Sequence, residues 1–136
     1  MSEIVRFGVS LEKNLLDNFD TLIRRRNYTN RSEAIRDSIR QELLKKVLEE
    51  DGEVAGAITF IYDHHQRDLV NKIIDIQHDY QEIIKSSQHI HLDHHDCLEI
   101  VAVKGHSSSV GRLADALKAL KGVRHGSLSM SNTGRI

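Results

Sequence analysis

With 136 residues, 39% of them hydrophobic and 4% aromatic, the chain has the make-up of one ordinary globular domain or two small ones. No apolar run approaches the length of a bilayer span, the first residues lack the basic, apolar, small-residue order of a secretion signal, and one cysteine cannot close an internal disulfide. The expectation is a cytoplasmic protein with no membrane partner. The net charge of −1 conceals a division: residues 1–48 carry ten Lys and Arg against seven Asp and Glu, while the remainder carries nine against thirteen and all nine histidines. That asymmetry suggests a mildly basic module suited to nucleic acid and an acidic, imidazole-rich one suited to a cation.

The run "VRFGVSL" at residues 5–11 alternates, with Phe7, Val9 and Leu11 on one side and Arg6, Gly8 and Ser10 on the other, the period of a half-buried strand. Leu11, Leu15, Leu16, Phe19, Leu22 and Ile23 then recur at helical spacing as far as the basic "RRRN", and "NYTN" reads as a turn. A second helix follows, with Thr29 or Asn30 as its cap and Ile35, Ile39, Leu43 and Val47 as its apolar stripe. A strand-helix-helix module of residues 1–48 buries little surface and leaves its strand unpaired. Antiparallel pairing with the same strand of a second copy resolves both problems, so an obligate dimer is expected.

A polar joint at residues 49–53 leads to a second module, residues 54–136. Periodicity predicts a strand over 54–63, a helix over 66–85, strands over 88–92 and 97–105, a helix over 109–122 closed by Gly122, and a strand over 123–130. The order βαββαβ is the ferredoxin-like arrangement, making the whole chain α+β.

The segment "HIHLDHHDC" at residues 89–97 gathers four histidines and the only cysteine. On a strand, His89 and His91 share a face. If the hairpin closes with Cys97 opposite His91, then Cys97 and Glu99 join them, and two imidazoles with a thiolate suit a borderline or soft divalent ion better than calcium or magnesium. A surface His-x-His is ordinarily just polar surface; the cysteine at hairpin distance tips the reading towards metal. His64, His65, His106 and His125 read as loop or strand-end imidazoles, and His94 and His95 as turn residues, with secondary metal contacts left open for all six.

These residues carry a resemblance. The run "NRSEAIRD" after one strand and one helix, then "QH", "HIHLDHHDCLEI" and "GVRHG", resembles the nickel-responsive transcriptional regulator family, NikR, over nearly the whole chain. The resemblance implies a ribbon-helix-helix DNA-binding domain joined to a ferredoxin-like, ACT-type metal domain, assembled as a homotetramer that is a dimer of dimers. It places nickel(II) on His89, His91 and Cys97 of one subunit and His78 of a neighbour, with Gln77 and Glu99 holding the ligands by hydrogen bonds. It implies that Arg6, Gly8 and Ser10 face base edges of a double-stranded operator with palindromic half-sites, that Ser32 and Arg36 meet a phosphate, and that Arg67 touches the DNA backbone. Glu33 and Asp37 match positions for a second, weaker cation between the domains. Gly8 and Gln66 depart from the family pattern, Gly8 by bringing no side chain to the reading face. The function so implied is nickel-dependent repression of nickel uptake, without catalysis. The alternatives are a regulator responding to cobalt or copper, a metal-storage or chaperone protein, and a metal-dependent hydrolase with His94 or His95 as base.

Overall fold

The computed structural model describes residues 3–133. The chain divides into two compact units, residues 1–41 and 42–136.

In the first unit, residues 3–12 form neither helix nor paired strand. The strand expected over 5–11 is therefore not formed within one chain. Its physical reason is that a strand exists only as a hydrogen-bonded ladder, and this segment has no neighbour in its own unit to complete one. Its apolar residues are left in the open, with Ile4, Val5, Phe7 and Val9 exposed at 88%, 78%, 71% and 63%. Helix α1 (Lys13–Arg25) ends on Arg24 and Arg25, whose charge suits the negative end of the helix dipole. Asn27, at φ 61°, turns the chain in the left-handed region that Asn tolerates. Helix α2 (Arg31–Glu49) starts behind Asn30, whose Oδ1 accepts the backbone N–H of Glu33 at 2.9 Å while the Thr29 hydroxyl donates to Glu33 at 2.9 Å. Arg31 forks onto both carboxylate oxygens of Asp20 at 2.8 Å, pinning the two helices together. Among the described residues of this unit, only Ile23 and Ala34 are buried.

The second unit is a four-stranded sheet with two helices on one face. Its elements are β1 (Glu53–Asp63), α3 (Arg67–Asp79), β2 (Ile84–His91), β3 (Asp96–His106), α4 (Ser107–Lys118) and β4 (Arg124–Asn132), in the sheet order β2-β3-β1-β4 with every neighbouring pair antiparallel. This is the expected split βαβ arrangement. Alternation sends Val54, Ile58, Phe60 and Tyr62 of β1 and Cys97, Glu99, Val101 and Val103 of β3 towards Leu69 and Ile73 of α3 and Val110, Leu113 and Leu117 of α4. Leu44, Val47 and Leu48, in the last turns of α2, pack on the same core.

Two boundaries differ from the sequence expectation. Helix α3 stops at Asp79 rather than near residue 85, because Tyr80 to Ile83 close turns, and Ile84 to Ser87 pair with β3 instead. The isoleucines at 83 and 84 fit a helical stripe equally well; strand pairing claimed them. Gly122 closes a turn after α4 rather than the helix itself, and its φ of 101° together with 2.9 Å from a would-be Cβ to Leu69 Cδ2 reserves that position for glycine.

Helix α4 has no cap from its own preceding residue His106. Asp51, itself left-handed at φ 53°, reaches across instead: its Oδ1 accepts the Ser108 N–H at 2.8 Å and the Ser107 hydroxyl at 3.3 Å. The Ser108 N–H, with the other hydrogen bonds, holds the Asp51 carboxyl below its ordinary pKa. A depressed carboxyl stabilises the fold above its unfolded pKa and loses that contribution as the pH falls through the folded one. Asp51→Ala is expected to lower the Tm at pH 7, and the gap to wild type should narrow in melts recorded at pH 3. Asp51→Asn, which tolerates the backbone and keeps an acceptor, should fall between them.

Candidate metal centre

The hairpin between β2 and β3 is set by its turn. Asp93 Oδ1 accepts the backbone N–H groups of His95 at 2.9 Å and Asp96 at 2.8 Å, and Leu92 N–H donates to Asp96 O at 2.9 Å. The resulting register pairs His91 with Cys97 and His89 with Glu99, and β1 adds Tyr62 beside Cys97 and Phe60 beside Glu99. All these side chains lie on the face that carries the helices.

At the centre of this face is a carboxylate with no exposure at all. Glu99 is 0% exposed, and its charge is met from three other elements. The Tyr62 hydroxyl of β1 donates to Oε1 at 2.9 Å, the Gln77 amide of α3 donates to Oε2, and the His89 Nδ1 of β2 stands 3.4 Å from Oε1. Burial first, then the Glu99 carboxylate beside it, pushes the Tyr62 phenol far above its ordinary pKa, so Tyr62 stays a donor. The phenol has one proton, and Glu99 takes it. The 3.2 Å contact between the Tyr62 oxygen and His89 Nδ1 then has the imidazole donating. Tyr62 was not singled out from sequence; the signal available was a hydroxyl at the end of an apolar alternation.

Cys97 is buried at 2% exposure, while His89 and His91 are exposed at the open side of the face. His78 lies exposed in the last turn of α3, next to the inward Gln77. The residues fit a soft or borderline divalent ion in kind: two imidazoles and a thiol occupy facing positions of adjacent strands, with a hydrogen-bonded carboxylate behind one of them. They are not drawn together within one chain. Among the described residues, the trio of metal-ligating side chains whose donor atoms all lie within 4.8 Å is Asp63, His65 and His95 instead. The cause is visible in the side chains: the His91 ring is stacked on His64, with centroids 4.7 Å apart and planes at 13°, and His89 is held by Tyr62 and Glu99. The loop imidazoles at 64, 65, 94 and 95 were read from sequence as separate residues; the fold makes them one cluster. His106 Nδ1 donates to the Asp51 carbonyl at 3.0 Å and is structural, and His125 lies in β4, left-handed at φ 53° where the pairing with β1 shifts register.

Of the other expected site residues, Arg6, Gly8 and Ser10 are exposed in the unpaired segment, with open space around Gly8. Ser32 and Arg36 are exposed in the first turns of α2, and Arg67 is exposed at the start of α3. Glu33 and Asp37 line an open polar recess with Tyr28, Arg36 and Arg40, and both already accept hydrogen bonds, Asp37 from Tyr28 at 2.7 Å and Arg40 at 3.3 Å and Glu33 from Thr29 at 2.9 Å.

Residues 55–131 match the family model described as the NikR C-terminal nickel-binding domain, and residues 5–46 match that of the ribbon-helix-helix proteins of the CopG family. Among similar curated proteins, one from Syntrophus aciditrophicus is 72% identical over 100% of this chain and 99% of its own length. Others from Chlorobium limicola and Pyrococcus furiosus are 59% and 50% identical, over 98% and 97% of this chain and 100% and 96% of theirs. All three are named nickel-responsive regulators. Among solved structures, an uncharacterised protein from Thermotoga maritima is similar in fold, with a TM-score of 0.52 at 14% identity, covering 57% of this chain and 96% of that one.

Removing the Tyr62 hydroxyl leaves one oxygen of a buried carboxylate without its donor. Tyr62→Phe is expected to lower the unfolding free energy in urea by about 1–3 kcal/mol. An unchanged denaturation midpoint would mean that water or His89 replaces the phenol.

Proposed function

The chain belongs to the NikR family of ribbon-helix-helix regulators, and on that footing we propose that it is a transcription factor whose grip on operator DNA responds to nickel(II). The observation that carries the reading is the facing of His91 by Cys97 and of His89 by Glu99, which gathers nitrogen, sulfur and a backing carboxylate at one end of a sheet. His89, His91 and Cys97 of one subunit, with His78 of a neighbour, would hold the ion. Three nitrogens and a thiolate in a plane suit nickel(II), and copper(II) shares that preference, whereas zinc favours a tetrahedron. Bound there, the ion would supply a link between subunits; no chemistry on a substrate is called for, since regulators of this family are not enzymes.

The DNA side of the proposal rests on the first unit. Phe7 and Val9, exposed at 71% and 63%, suit antiparallel pairing of two copies, which would cover them and turn Arg6, Gly8 and Ser10 towards base edges in the major groove. Arg31 is spent on Asp20, so Arg36, Ser32 and the exposed Arg24 to Arg26 are the groups left to meet phosphates. Arg67 would add a backbone contact. A homotetramer built as a dimer of dimers, sitting on palindromic half-sites in the cytoplasm and repressing nickel uptake, completes the reading. A second, weaker cation at Glu33 and Asp37 belongs to it as well, supported by the two carboxylates lining one recess.

Nickel can shift this assembly only by its preference for the DNA-competent arrangement, typically about 1–3 kcal/mol in such switches. Selection of duplexes from a random pool by the full chain with nickel(II) is expected to enrich a two-fold symmetric site. Cys97→Ala should enrich nothing, and indifference of the wild type to nickel would overturn the reading. On the enriched site, Arg6→Ala should cost about 1–3 kcal/mol and relax preference at one base position. An equal loss on every sequence would move Arg6 to the phosphates.

A further inference from the structure

The first unit joins its two helices with little apolar surface: among its described residues only Ile23 and Ala34 are buried. Directional polar contacts therefore carry much of their mutual orientation. Arg31, the first residue of α2, lays its planar guanidinium on Asp20 of α1, Nε donating to Oδ1 and Nη2 to Oδ2, both at 2.8 Å. In the intervening turn the Tyr28 N–H donates to Ile23 O at 3.0 Å and the Tyr28 hydroxyl to Asp37 at 2.7 Å, tying the turn to both helices. The hydrogen bonds from Arg31 hold the Asp20 carboxyl below its ordinary pKa, so the pair is ionised at neutral pH.

We infer that Asp20 and Arg31 are positioning residues for DNA recognition, holding the start of α2, where a phosphate is met, at a set distance and angle from the segment that reads bases. The inference rests on the ribbon-helix-helix reading proposed above. Residues 5–11 lead almost directly into α1 at Lys13, so whatever fixes the start of α2 to α1 bears on its placement relative to those residues. The grip is at the helix end itself. Asn30 Oδ1 takes the Glu33 N–H, and the N–H groups of Arg31 and Ser32 ahead of it have no acceptor within the helix. Two parallel bonds from a rigid plane constrain both reach and twist, where a lysine would constrain reach alone. The fork also disposes of two charges. A bare Asp20 would repel a nearby phosphate, and a free Arg31 would hold any phosphate irrespective of sequence. Spent on each other, they leave the exposed Ser32 and Arg36 to make the contact. Side chains 56% and 28% exposed, as those of Arg31 and Asp20 are, form a pair that adds little to stability, so its loss falls on recognition rather than on folding.

The test measures the affinity of the full chain with nickel(II) for the duplex that the wild type enriches and for random duplex, across a salt series. Asp20→Asn breaks the fork and frees Arg31. Its ratio of enriched-site to random affinity should fall roughly tenfold, the scale of one misplaced base contact. Its binding to random duplex should strengthen, with a salt slope steeper by about one as Arg31 meets phosphate. Arg31→Ala should lower the same ratio without making the slope shallower. Arg31→Lys keeps the charge and the ion pair but not the fork, and should fall between wild type and Arg31→Ala; if Asp20→Asn melts early by circular dichroism, this variant decides. A ratio equal to wild type in the deciding variant would overturn the positioning role. So would an Arg31→Ala loss that is equal on both duplexes and makes the slope shallower by about one, because Arg31 would then itself be a phosphate contact. A wild type that prefers no duplex would remove the regulator reading and this inference with it, whereas a preference that survives in the variants removes this inference alone.

Discussion

The second unit is organised around one buried charge. A carboxylate taken fully out of water costs several kcal/mol unless its oxygens are bonded. Glu99 meets that demand by drawing a donor from β1 and one from α3, Tyr62 and Gln77, with His89 of β2 standing beside Oε1, while Glu99 itself stands on β3. Four elements are therefore registered on two oxygen atoms. The inward turn of Gln77 on α3 answers to that requirement, while the turn at Asp93 sets the register that brings His89 beside Glu99 and His91 beside Cys97.

The sheet order does the rest. In a split βαβ arrangement, β3 lies between β1 and β2 and runs against both, so the ends of β1 and β2 and the start of β3 fall at one edge. Donors separated by more than twenty-five positions in the chain, such as His64 and His91, become neighbours without a dedicated loop. The inner and outer clusters are two depths of that same edge. Cys97 and Glu99 lie where the helices cover the sheet, and Asp63, His65 and His95 lie where the strands run out into water.

What could be read from the sequence was what depends on local period and local spacing. The alternation in β1 and β3, the capping by Asn30 and the hairpin register of His91 with Cys97 are set by residues within a few positions of one another, and each was legible. The end of α3 was not, because Ile83 and Ile84 satisfy the helical and the extended pattern alike and only the distant β3 decides between them. Tyr62 as a donor to Glu99, Asp51 as the cap of α4, and the gathering of Asp63, His65 and His95 are all contacts across long stretches of chain. Nothing in one segment announces them. The nitrogen and sulfur set itself was legible only because an unusual concentration of histidine fell in a nine-residue run with the sole cysteine.

The Glu99 constraint also decides which way His78 faces. Consecutive residues on an α-helix point about 100° apart. Gln77 is committed inward to Glu99, so His78 is swung off the face that packs on the sheet, and it is exposed. An imidazole in that position stands apart from the Glu99 carboxylate that its neighbour Gln77 meets. The donor is thus offered outward, to whatever packs against the last turn of α3. In the proposed site, where His78 of a neighbouring subunit joins His89, His91 and Cys97, the requirement that turns Gln77 inward is also what leaves His78 on the outer side of α3 to be shared.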